Sequence, residues 1–121
     1  MPRTALRFST RIVLLTKHRA YKFPIDRRGY LQGRNEAKLW RQYKDCKTLA
    51  PLKWEFFGVV CMARAQEIQR RPVRWIRYIK DLIPDLDIAN CDLNKVENWG
   101  YYNGRYVLVD YGIDERISKM Y

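Results

Sequence analysis

The pattern of apolar and polar positions changes period several times along the chain. In "RIVLLTKHRAYKFP" two apolar runs flank a polar Lys17-His18 step. That pattern predicts an early β-hairpin, with strands over Arg11 to Thr16 and Arg19 to Phe23. Pro24, Asp26 and Gly29 end it. In "RNEAKLWRQYK" the apolar residues Leu39, Trp40 and Tyr43 fall at helical spacing, which predicts a helix over roughly 33–45 with Asn35 as its cap. "WEFFGVVCMARA" is β-branched and aromatic, so one or two strands follow, with Gly58 as a turn or bulge. Pro72 opens a second helix, because proline is tolerated in a first helical turn. Trp75, Ile76, Ile79, Leu82 and Ile83 form its apolar face, and Arg70, Arg71, Arg74 and Arg77 line the other side. "IPDLDIANCD" reads as a loop with clustered acids. Asn103-Gly104, set between alternating β formers, predicts a tight hairpin. The tail "GIDERISKMY" reads as a short helix. Strands and helices segregated in this way indicate an α+β fold, a small antiparallel sheet with two main helices.

The 121 residues suggest one domain spanning 1–121. Its length is sufficient for a real core, and its apolar fraction is that of a folded chain. No apolar run is long enough for a membrane span, and no secretory signal is visible. The three cysteines, Cys46, Cys61 and Cys91, are widely spaced and odd in number, which reads as reduced thiols in a cytoplasmic protein. His18 is the only histidine, so a structural zinc site or a histidine-dependent nucleophilic centre is not expected.

Charge changes the picture. Residues 1–54 carry 14 Lys and Arg against 3 acids, whereas residues 55–121 carry 10 of each. The whole net charge of +11 therefore lies in the first half. A one-sided positive field attracts nucleic acid, acidic protein surfaces or nucleotide phosphates. Arg27, Arg28 and Arg34, together with the Arg70, Arg71, Arg74 and Arg77 stripe, are the candidate macromolecule contacts; the bland alternative is a solvated basic face.

Five short segments, in order, resemble a protein kinase core. "AYKFP" places Lys22 where the phosphate-binding lysine stands. "NEAKLW" places Glu36 where its glutamate partner stands. "GVVCMARA" resembles the strand entering the hinge, with Met62 to Arg64 near the adenine position. "CDLNKVEN" resembles the catalytic loop, with Asp92 as base and Asn98 as a metal ligand. "VLVDYG" resembles the Asp-Phe-Gly motif, with Asp110 as the main metal ligand. The "NWG…NGR…VLVDYG" ending is similar to that of short bacteriophage kinase-like proteins, which would put the chain in the host cytoplasm. The resemblance implies a truncated kinase-like core, small-lobe-like over 10–65 with a reduced catalytic-loop region over 72–121, and ATP and magnesium as its ligands.

The sequence departs from that pattern in ways that bear on catalysis. No glycine precedes Gly29, so there is no Gly-rich loop ahead of Lys22. Asp92 and Asn98 are separated by five residues where the motif has four, and Asn90 stands where the motif has histidine. Nine residues follow Gly112, and a large helical lobe is not expected. The favoured expectation is a kinase-like interaction protein without catalysis, with no obligatory cofactor. It would bind and inhibit a host protein or nucleoprotein through its basic surface. The alternatives are an active ATP- and magnesium-dependent phosphotransferase, completed by homodimerisation or by its partner, and a nucleic-acid-binding protein.

Overall fold

The computed structural model describes residues 5–8, 11–84, 86 and 93–112. Among these residues eight strands and two α-helices occur in the order β1 (Ala5–Phe8), β2 (Arg11–Leu15), β3 (Arg19–Pro24), α1 (Arg27–Tyr43), β4 (Leu52–Phe56), β5 (Val59–Ala63), β6 (Gln66–Glu67), α2 (Val73–Leu82), β7 (Trp99–Tyr102) and β8 (Arg105–Leu108). The class is α+β, with antiparallel sheets and two α-helices among the described residues. The expected tail helix and the acidic loop after Pro84 fall almost wholly outside those residues.

The first five strands form one sheet in the order β1-β2-β3-β5-β4, and β6-β7-β8 form a second. Every paired strand runs antiparallel to its neighbour. The β2–β3 hairpin pairs Val13 with Lys22 and Leu15 with Ala20. Because side chains alternate between faces, Arg11, Val13, Leu15, Ala20, Lys22 and Met62 share the face that α1 covers. The second hairpin turns at Asn103 and Gly104, both with positive φ (52° and 85°), the conformation that its Asn-Gly pair favours. Segment 48–50 joins this hairpin to the rest. Ala50 N–H donates to the Leu108 carbonyl and Leu108 N–H to the Thr48 carbonyl, each at 2.8 Å. Leu49, Val60, Met62, Ile79, Ile83, Trp99, Val107, Leu108 and Tyr111 belong to one buried cluster, so a common core underlies both sheets and both helices.

The sequence pattern started the first helix too late. Asp26, not Asn35, caps it, accepting from Gly29 N–H at 3.2 Å. Gly29 and Gly33 weaken the helical signal over the first two turns. Gly33 is required there by close approach: a Cβ at Gly33 would lie 2.1 Å from the Gly58 carbonyl oxygen. Gly58 itself has a φ of 82° in the β4–β5 turn. The helix therefore sacrifices propensity to lie directly against that turn. Gly33→Ala is expected to force helix and turn apart and to cost roughly 1–3 kcal/mol, read as a lower urea midpoint at unchanged slope. A midpoint equal to that of the wild type would show that the contact is not tight. The strands β1 and β6 are not among the elements that the sequence pattern predicts. Both are short, and β6 has only two residues, too few to show a period.

Candidate functional site

The site is built where the inner face of the large sheet meets α1 and the end of β8. Arg11 arrives on β2, Lys22 on β3, Glu36 on the sheet-facing side of α1, and Asp110 just past β8. Arg11 grips Glu36 with both terminal nitrogens, Nη1 to Oε1 at 2.6 Å and Nη2 to Oε2 at 3.1 Å. The same Nη2 reaches Asp110 Oδ1 at 2.9 Å. Lys22 Nζ lies 3.3 Å from Glu36 Oε2 and also donates to the Val109 carbonyl. Tyr111 N–H donates to Glu36 Oε2 at 3.2 Å. Three consecutive residues, 109 to 111, thus contribute a carbonyl, a carboxylate and an N–H to one charged cluster. Gly112 completes the approach, since a Cβ there would lie 2.2 Å from the Gln32 carbonyl oxygen and 2.7 Å from Glu36 Cγ. Asn35, the expected cap, instead donates from its side chain to the Gly112 carbonyl at 2.9 Å.

Burial sets the energetics. Glu36 is fully buried, and Arg11 and Lys22 are about 95% buried. Burial alone would push the Glu36 carboxyl up. The charges of Arg11 and Lys22 and the hydrogen bonds from Arg11 and Tyr111 outweigh it and hold the pKa at about 2. Burial pulls Lys22 down, with Glu36 opposing that shift only in part. Two cations and two carboxylates make the cluster formally neutral.

A cleft of about 270 Å³ opens over this cluster. Its lining includes Arg11, Lys22, Met62, Arg64, Asn98 and Asp110. The cleft is graded along the strands. Arg11 and Lys22 mark its charged end. Leu15, Ala20 and Met62, adjacent through the pairs Leu15–Ala20 and Ala20–Met62, mark its apolar end. Arg11 and Leu15 are four residues apart on one strand, a span of roughly 13 Å.

No family model, curated protein or solved structure matches this chain.

Of the residues singled out in the sequence, Lys22, Glu36 and Asp110 meet in the cluster, and Asn98 lines the same cleft. The β7–β8 hairpin brings Asn98 and Asp110 together: a 3-10 turn over Val96–Asn98 leads into β7, and Val109 N–H donates to the Asn98 carbonyl at 2.9 Å. Met62, Ala63 and Arg64 all line the cleft, with the Arg64 guanidinium also donating to the Thr16 carbonyl at 2.8 Å. Asp92 lies outside the described residues. The surface arginines do not line the cleft. Arg27, Arg34, Arg70, Arg71, Arg74 and Arg77 are exposed, while Arg28 is half-buried and paired with Asp26 at 2.7 Å. Arg34 lies 3.8 Å from Glu55, and Arg71 donates to Asn94 at 3.1 Å.

The sequence reading missed Arg11, which touches both carboxylates of the cluster. The available signal was parity. Arg11 shares a face with Val13 and Leu15, and a charge on the inward face of an apolar strand needs a partner.

Proposed function

We propose that the chain is a kinase-like nucleotide-binding protein that takes a nucleoside triphosphate in the cleft between the large sheet and the β7–β8 hairpin. The carrying observation is the gradient of the cleft, from the paired charges at Arg11 and Lys22 to the apolar Leu15, Ala20 and Met62. Phosphate oxygens would accept hydrogen bonds from the two cations, Asp110 giving way on Arg11, and a base would be desolvated against the apolar end. The Lys22–Glu36 contact at 3.3 Å, with Asp110 bonded to the same cluster through Arg11, supports this reading. Phosphoryl transfer requires more than binding. It needs a positioned acceptor, a base and bridging cations. In this reading the site binds and orients a nucleotide, and Asp92 and Asn98 would serve transfer only if an acceptor is brought to them.

Melting with ATP, adenosine and tripolyphosphate tests the reading. At about 100 times its dissociation constant ATP should add roughly 2.7 kcal/mol of stability, and either half alone should add less. No shift with ATP, with or without magnesium, would end the proposal.

A second reading, as an interaction protein, is favoured by the outer face of the large sheet. Phe23, Trp54 and Phe56 lie there, and Phe57 stands in the adjoining turn; all four are exposed. Tyr21 and Trp54 stack obliquely on that face, and Phe56 and Phe57 meet edge to face. Exposed aromatics gathered on one face characterise protein contact surfaces. The exposed arginines would steer an acidic partner towards the molecule. Affinity capture from host extract should then be lost in Trp54→Ser/Phe56→Ser and retained in Asp110→Ala. Loss of capture in a folded Asp110→Ala protein would overturn this reading.

A further inference from the structure

We infer that the cleft takes its polyphosphate without a divalent cation, Arg11 standing where a metal ion would otherwise bridge Asp110 and the phosphates. The inference rests on the nucleotide reading above and concerns the form of the ligand. A magnesium ion in a nucleotide site is held by one or two carboxylates together with phosphate oxygens. Here the candidate carboxylate, Asp110, already receives a guanidinium hydrogen bond at 2.9 Å. The donor is not a mobile surface side chain. Arg11 is anchored by its two-point contact with the fully buried Glu36, and its guanidinium is about as inaccessible as the core.

Three physical consequences follow. A dication placed on Asp110 would sit beside a fixed positive charge and be repelled by it. The cluster offers no net negative charge to attract such an ion, because Arg11 and Lys22 balance Glu36 and Asp110. A phosphate oxygen, by contrast, can accept the Nη2 hydrogen bond that Asp110 now holds, while Glu36 keeps its two-point contact with the guanidinium. Asp110 is about one-third exposed, so it can turn into the cleft when phosphate replaces it on Arg11. Arg11 also begins the strand that follows the β1–β2 connection, beside Lys22 on the inner face. From there it supplies the positive charge that a chain without an early glycine-rich segment cannot supply through backbone amides.

The test is ATP affinity by calorimetry, measured in EDTA and in excess magnesium, on wild type, Arg11→Lys and Arg11→Leu. The wild-type dissociation constants in the two buffers should agree within about threefold. Arg11→Lys keeps the charge but loses the two-point anchor on Glu36 that fixes the donor, and should weaken binding in EDTA by about tenfold. Arg11→Leu releases Asp110 and should make binding depend on magnesium. If Arg11→Leu does not fold, the ratio of the EDTA to the magnesium dissociation constant in Arg11→Lys decides, since it should rise above that of the wild type. Wild-type binding seen only with magnesium would overturn this inference and leave the nucleotide reading standing. Binding in EDTA that Arg11→Lys leaves unchanged would remove Arg11 from the site. Absence of binding in both buffers would overturn both.

Discussion

Replacing Glu36 with alanine is expected to destabilise the protein by roughly 3–5 kcal/mol, the range for breaking a buried ion pair by removing one partner. That loss compares with a total stability of about 5–15 kcal/mol for an ordinary domain. The cause is what remains. Arg11 and Lys22 stay buried with the carboxylate that both contact removed, and Tyr111 N–H loses its acceptor. Glu36→Gln retains the volume and an acceptor but not the charge, so it should recover only part of the loss. The pH dependence carries the same information. The folded pKa of Glu36, about 2, lies below its ordinary value of 4.5. The stabilisation from Glu36 is therefore complete above about pH 4.5 and disappears as pH falls towards 2. The stability gap between wild type and Glu36→Gln should be constant near neutrality and shrink through that acid window. Urea unfolding at several pH values measures both. A gap below 1 kcal/mol at neutral pH would mean that the cluster is solvated in solution.

Lys22→Met should separate binding from folding in the opposite sense. Lys22 is costly to bury, as its lowered pKa indicates, and Glu36 keeps both Arg11 contacts and the Tyr111 N–H without it. Methionine fills a similar volume and leaves only the Val109 carbonyl short of a donor, so a loss on the order of 1–2 kcal/mol is expected. Nucleotide affinity should fall much further. Charge-assisted hydrogen bonds to phosphate contribute roughly 1.5–3 kcal/mol, which corresponds to about 10- to 100-fold in affinity. The substitution also turns a neutral cluster into one with net negative charge, which repels the triphosphate. Calorimetry with ATP, set against the urea midpoint, reads the two effects separately. A Lys22→Met protein that bound ATP as tightly as the wild type would place the phosphates elsewhere.

Much of the local structure was legible because it depends on short-range preferences. The β2–β3 hairpin followed from two apolar runs either side of Lys17-His18, the β7–β8 turn from Asn103-Gly104, and the second helix from Pro72 and the apolar residues behind it. Gly58, expected as a turn or bulge within one or two strands, stands in the turn between β4 and β5. Lys22, Glu36, Asn98 and Asp110 were named through a family resemblance. Nothing in their spacing alone brings them to one place.

Other features could not be read locally. The first helix begins at Arg27 because Gly33 allows it to press against Gly58, a contact between residues 25 positions apart. Arg11 finds Glu36 25 residues away and Asp110 99 residues away. Local sequence determined which segments form strands and helices, because backbone preference and side-chain period act over a few residues. Only the tertiary structure decided that Arg11 joins the two carboxylates, because a buried ion pair is set by which charges are desolvated together, and that depends on how distant segments pack.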